Sequence, residues 1–262
     1  MNPETPHLTL TVADRVATLT LRKPERRNAV DQAMWRAIPA LAARLSDDPA
    51  VAVVVLTGAG DCFSAGADIA EFETVFGTTA AATAAGDAIR LALRALSEIN
   101  KPVIATIRGQ CIGGGVSLAL TADLRLATED SRFAIPPARL GLVYSHDETK
   151  RLVEAVGPAG ARDLLFTART IDARDALAMG LVDRVVAPER LDAEAGDLIE
   201  TLLGNAPGSI RGAKLMIRAI LDGSDHETPA LRALADNAVS SPDFREGYRA
   251  FLAKRRPVFD QR

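Results

Sequence analysis

The sequence predicts an α/β protein with a helical C-terminal extension, and three observations carry that reading. Short, β-branched apolar runs alternate with longer stretches of helical spacing through the first two thirds of the chain. Two of those runs lead into glycine-rich loops, GAGDCFSAGADI and GQCIGGGVSLAL. From about residue 189 onward almost everything has helical spacing. The chain therefore divides into a core over residues 1–200 and a helical region over residues 201–262.

The elements follow in order. LTLTVADRVATLTL alternates apolar and polar residues around Ala13-Asp14-Arg15, which predicts a hairpin over 8–21. Residues 31–46 have helical spacing and stop before Asp47-Asp48-Pro49. VAVVVLT is short, β-branched and apolar on both faces, so it predicts a fully buried strand. The alanine-rich stretch 79–98 predicts a helix ended by Asn100-Lys101-Pro102, and PVIATI a second buried strand. Short strands are expected at DLRLAT and RFAI. Asp172 then caps a helix that Gly180 ends, with a strand in LVDRVVA behind it. The recurrence of strand, glycine loop and helix hints at a repeated ββα unit.

Composition narrows the function classes. At 262 residues, with 48% hydrophobic and 25% charged residues, the chain can bury a sizeable core. A formal net charge of −3 gives no reason to expect nucleic acid as a partner. The two cysteines, Cys62 and Cys111, have no metal-ligand spacing, so neither a zinc site nor a disulfide scaffold is expected and a reducing, cytoplasmic setting fits. No run is long enough to span a bilayer and the start lacks the pattern of a signal peptide, so no membrane partner is expected.

The glycine loops raise the chemical question. Backbone N–H groups at a strand end and a helix start are unpaired, and small residues there let a ligand oxygen approach them. One donor from each loop would make an oxyanion hole; for either loop alone, a tight turn or close packing is the simpler explanation. Together, however, SAGADI, KPVIATIRGQCIGGGVSLALTADLRLATEDSRF, ARLGL, LLFTARTIDARDALAMGLVDRVV and the tail DFREGYRAFLAKRRPVF resemble the crotonase (enoyl-CoA hydratase/isomerase) superfamily. The opening VATLTLRKPERRNAV matches that family's first strand and its Asn-Ala-aliphatic turn, so the resemblance covers nearly the whole chain.

The resemblance implies a crotonase-like spiral of ββα units, a helical C-terminal trimerisation region that builds trimers or dimers of trimers, and an acyl-CoA thioester as substrate. No cofactor is implied beyond the CoA moiety, and no metal. Ala67 and Gly114 would give the two N–H donors to the thioester oxygen. Arg26, Ala65, Asp68 and Ile69 match positions that line CoA. Phe251 and Lys254 match tail residues that reach it from a neighbouring subunit. For Arg26 and Lys254 a solvated surface charge is nearly as good an account.

The family's hydratases use two glutamates. Ser117 stands at the first of those positions and Pro137 at the second, so neither carboxylate is expected here. Ser145 stands where several isomerases and a dehalogenase of the family carry theirs. Tyr144 matches a tyrosine of the family's methylmalonyl-CoA decarboxylase, although that enzyme has a histidine where this chain has Ala67. Ser145-His146-Asp147-Glu148 also reads as a capping box, with Ser145 and Glu148 as its members. That leaves Tyr144, His146 and Asp147 as acid/base candidates. A nucleophilic role for Ser117 is not expected, since no histidine has a supported position beside it. Three readings stand: hydration or isomerisation, decarboxylation of a carboxyacyl-CoA assisted by Tyr144, and a non-catalytic acyl-CoA binder.

Overall fold

Alternation in the first 21 residues produces what it predicts. Strands β1 (Leu8–Ala13) and β2 (Val16–Leu21) pair antiparallel, and Asp14 and Arg15 both take positive φ (48° and 68°), the backbone that a two-residue hairpin turn needs. The computed structural model describes residues 5–259. Helix α1 (Gln32–Asp47) starts at Asp31, whose side chain accepts from the Met34 N–H, and its apolar face buries Met34, Trp35, Ile38, Leu41 and Leu45.

The buried runs become parallel strands. β3 (Val53–Gly58) pairs with β2, and β4 (Val103–Ile107) pairs with β3. Between them lie the short helix α2 (Phe72–Phe76) and α3 (Thr79–Ser97), which packs on α1. The chain then makes β5 (Gln110–Ile112), α4 (Gly114–Ala119), β6 (Leu124–Thr128), β7 (Arg132–Ala134) and α5 (Pro137–Leu140). Helix α6 (His146–Thr167) is broken at Gly157, where φ is +69°, with Pro158 following. β8 (Ile171–Asp172), α7 (Ala173–Met179) and β9 (Arg184–Val186) come next, and Gly180 ends α7 in the left-handed conformation as its position predicts.

The strands sort into two sheets, and this sorting positions the site. The larger has the order β1-β2-β3-β4-β6-β9 and the smaller β5-β7-β8. Each turn of the chain gives one strand to the large sheet, the next to the small one, and then a helix: β4–β5–α4, followed by β6–β7–α5. The loop after β3 joins the small layer without forming a full strand, since Ser64 bridges to Cys111 and Ala67 bridges to Val30. The glycine loops are thus the second layer of a ββα spiral. One apolar cluster fills the space between α1, α3 and the sheets, with Trp35, Phe63 and Phe133 as its largest members. A smaller cluster lies under α8 (Leu191–Leu203).

Beyond α8 the chain is helical: α9 (Pro207–Leu221), α10 (Pro229–Ser240) and α11 (Pro242–Leu252). These helices bury one residue, Ala250, and expose Ile217, Ile220, Val239, Phe251 and Leu252. Two ion pairs hold α9 to the core, Lys214–Asp123 and Arg218–Glu98, and a third, Lys150–Asp222, holds the residue that follows it. Among the described residues no helix is long and apolar enough to cross a membrane.

Candidate active site

The two glycine loops interlock, and each glycine of the triplet has its own task. Gly113 has φ +54° and ψ −116°, a backbone that essentially only glycine adopts. Gly114 opens α4. Gly115 packs so tightly that a β-carbon there would lie 2.7 Å from the Ser64 carbonyl oxygen and 3.0 Å from the Ser64 Cβ. From the other loop, Gly66 (φ +92°) fits against the Ile112 carbonyl, where a β-carbon would come within 2.6 Å. Gly115→Ala is therefore expected to destabilise the fold by about 1–3 kcal/mol, as overpacked cores do. Urea denaturation checks this, and unchanged stability would show that the loops have slack.

What this interlock leaves open is a pair of amides. Ser64 N–H donates to Gln110 and Ile112 N–H to Ser64, sewing the loops together, while Val30 N–H and Asp68 N–H bond across to Gly66 and Val30. The N–H groups of Ala67 and Gly114 have no acceptor among the described residues. They are neighbours, since a β-carbon on Gly114 would lie 3.6 Å from the Ala67 nitrogen. Ala67 is exposed while Gly66 and Asp68 on either side are buried. Two free donors side by side can receive one oxygen atom.

Beside them sits a polar cluster from α4 and α6. Ser117, one turn along α4 from Gly114, donates its hydroxyl to Glu148 Oε1 at 2.9 Å. Glu148 Oε2 accepts from the Ser145 N–H at 3.2 Å and the Ser145 hydroxyl at 2.7 Å, while the Glu148 N–H donates to Ser145 Oγ at 3.3 Å. The capping box read from the sequence is complete. Tyr144 packs against the core with its hydroxyl shielded from solvent and without a well-formed hydrogen bond. A β-carbon on Gly113 would lie 3.7 Å from that hydroxyl. Burial first, and then the charge of Glu148, push the Tyr144 phenol well above its usual range, with the nearby Ser117 hydroxyl pulling the other way. Tyr144 is thus a neutral hydrogen-bond donor at physiological pH.

Not every candidate converges here. Tyr144 joins Gly114 and Ala67, but His146 and Asp147 do not. The His146 side chain is 89% exposed, 3.6 Å from Asp147. Asp147 lines a different cavity of about 500 Å³ with Lys150, Arg151 and Lys214, whose lining includes none of Ala67, Gly114, Tyr144 or Glu148. The faces differ within a single turn of α6: capping turns Glu148 inward and its two predecessors outward. Asp68, read as a CoA contact, has its carboxylate occupied by the Ala70 N–H and by Lys23 Nζ at 2.7 Å. Arg26, Ile69, Phe251 and Lys254 are exposed and Ala65 is half-buried. The residue that sequence reasoning left to capping alone is Glu148. Its available signal was Ser117 itself, a hydroxyl facing the site that needed an acceptor.

A family model described as enoyl-CoA hydratase/isomerase matches residues 11–262. The chain belongs to the enoyl-CoA hydratase/isomerase family. It is 32% identical to a crotonyl-CoA hydratase of Syntrophomonas wolfei, with 94% of this chain and 95% of the relative covered. It is 33% identical to a short-chain-enoyl-CoA hydratase of Clostridium acetobutylicum, covering 92% and 93%. A solved member of the enoyl-CoA hydratase/isomerase family from Hyphomonas neptunium superposes with a TM-score of 0.94 at 44% identity, covering 98% of each chain. The protein is thus an acyl-CoA enzyme of this family with the family's α/β fold.

Proposed function

We propose that the enzyme binds an acyl-CoA thioester and stabilises its enolate between the N–H groups of Ala67 and Gly114. One observation carries this: those two amides lack acceptors among the described residues and lie side by side where two loops interlock. An enolate concentrates negative charge on one oxygen, which a fixed pair of donors meets without reorganisation. Arg26, Ala65 and Ile69 would flank the CoA portion, and exposed Phe251 and Lys254 would reach it from a neighbouring copy. The apolar residues that α9–α11 expose favour self-association as a trimer or dimer of trimers. Asp68 would flank the CoA portion from the same turn as Ile69, with its carboxylate held by Lys23.

Hydration by a pair of glutamates is disfavoured, since Ser117 and Pro137 stand where the family's hydratases carry them. Crotonyl-CoA hydration, followed by loss of thioenoyl absorbance, is expected to run at least about 100-fold below the short-chain-enoyl-CoA hydratase of Clostridium acetobutylicum assayed alongside. Rates within tenfold of that relative would sink this reading. Titration calorimetry with butyryl-CoA tests the binding, and binding without any turnover would mark a non-catalytic binder.

A second reading, decarboxylation of a carboxyacyl-CoA, draws on the Tyr144 hydroxyl, shielded from solvent and without a hydrogen-bond partner among the described residues. It needs no base, because loss of CO₂ leaves the enolate directly. Against it stands Glu148, whose negative charge would face the substrate's carboxylate. Release of CO₂ from methylmalonyl-CoA, abolished by Tyr144→Phe, would reverse that preference.

A further inference from the structure

The geometry points to Glu148 as the carboxylate that exchanges protons with the acyl group, with Ser117 as the residue that positions it; this rests on the enolate reading above. Ala67 and Gly114 supply the amides but no base for the enolate. Glu148 answers from α6 rather than from α4 or α5. Its Oε1 is held over the first turn of α4 by Ser117, on the face that Gly114 opens, because residues three apart on a helix share a face. The Tyr144 hydroxyl, which also approaches Gly113, lies close enough to feel the Glu148 charge. Three polar groups, from α4, from the loop before α6 and from α6, therefore gather beside the glycine triplet.

The carboxylate is fixed from both sides. Oε2 is engaged by the N–H and hydroxyl of Ser145, so the side chain has little rotational freedom and presents Oε1 inward. Among the described residues only Ser117 bonds to Oε1, which leaves further acceptor capacity there for a proton. A catalytic base requires this combination: fixed geometry with an unsaturated oxygen. An acid held for capping alone needs no hydroxyl from another helix.

The step balances without any added reagent. Oε1 takes a proton from the acyl Cα, the electrons of that C–H bond move through the Cα–carbonyl bond onto the thioester oxygen, and the Ala67 and Gly114 amides hold the resulting anion. Glu148, now protonated, returns the proton to Cα, which is exchange. In a β,γ-unsaturated chain it returns the proton to Cγ instead, and the double bond moves to the α,β position. One carboxylate serves both transfers, so the enzyme is assigned proton shuttling on an unsaturated acyl-CoA rather than addition of water.

Glu148→Gln isolates the charge, because glutamine also completes a capping box and leaves the helix start intact. The full-length protein is incubated with butyryl-CoA in D₂O, exchange at Cα is followed by proton NMR, and butyryl-CoA affinity is measured separately by calorimetry. The parent protein is expected to exchange. Glu148→Gln should lower exchange by at least about 100-fold with affinity within about threefold and melting temperature unchanged. Ser117→Ala should lower the saturated exchange rate by about tenfold without weakening binding, a split that a merely structural role would not give. Exchange in Glu148→Gln within threefold of the parent, or a parent that binds butyryl-CoA but never exchanges, overturns the assignment. A parent that fails to bind butyryl-CoA overturns the acyl-CoA reading beneath it. If Glu148→Gln lowers the melting temperature, the Ser117→Ala split decides: equal loss of rate and affinity there also overturns the assignment.

Discussion

Replacing Gly114 by proline is expected to lower Cα proton exchange by about 10²–10³-fold, equivalent to about 2.7–4 kcal/mol of transition-state stabilisation. Proline removes the N–H and puts its ring Cδ where that donor points. The backbone tolerates the change. Gly114 is the first residue of α4, where proline is over-represented because the N–H has no partner within the helix. Gly113 before it lies outside the α region, so the restriction proline places on its predecessor is already met. Gly114→Ala is the control: it keeps the N–H and adds a methyl 3.3 Å from the Trp35 ring, a tight contact that costs little activity by comparison. If the two variants exchange at the same rate, the N–H is not a catalytic donor, and crowding explains whatever loss occurs.

A second large effect is expected at Lys23, which sequence reading passed over. Its Nζ lies 3.0 Å from Asp31 Oδ2 and 2.7 Å from Asp68 Oδ2, and all three side chains are at least 86% removed from solvent. The other oxygen of each carboxylate caps a helical turn, Asp31 accepting from Met34 and Asp68 from Ala70. Lys23 thus ties the start of α1 to the turn that follows Ala67. Lys23→Met should cost about 3 kcal/mol, chiefly because two buried carboxylates lose their counter-charge. Lys23→Met/Asp31→Asn/Asp68→Asn should recover most of it, since asparagine keeps both caps.

The pH dependence follows from the same cluster. The Lys23 hydrogen bond leads the effects that hold Asp68 below the usual carboxylate range, against burial. Its stabilisation is therefore present above the unfolded value of about 4 and lost as pH falls through the lower folded value. Burial alone would lower the Lys23 pKa, but the two carboxylates outweigh it and raise it. That contribution holds below about pH 10.4 and is lost as pH rises through the higher folded value. Urea denaturation from pH 3 to pH 7 checks this. In Lys23→Met the acid limb should flatten, with the deficit against the parent largest at pH 7 and shrinking toward pH 3, and a curve parallel to the parent's within about 0.5 kcal/mol would show that the cluster is not coupled as described.

Much of the architecture was legible because it depends on local patterns. The hairpin at 8–21, the buried strands VVVLTG and VIATI, the stop at Gly180 and the capping box at Ser145 each rest on periodicity or turn chemistry within a few residues. The glycine loops were legible as a place of close approach. Which glycine does what was not: the Gly115 contact with Ser64 and the Gly66 contact with Ile112 span about fifty residues of chain. His146 and Asp147 looked like acid/base candidates because they sit beside Tyr144 in sequence, but helix geometry turns them away. Glu148 looked fully explained by capping, a local role, while its second partner, Ser117, lies 31 residues away.

By itself, then, the sequence determined the family, the ββα order and the two loops that bear the free amides. Backbone conformation and the alternation of strands and helices are written in residues close together along the chain. Only the tertiary structure decided that Glu148 takes a second partner from α4 beyond its cap and that Asp68 is tied to Lys23. A carboxylate's role is set by the donors that reach it, and here those donors, Ser117 for one and Lys23 for the other, arrive from distant segments through the packing of the spiral.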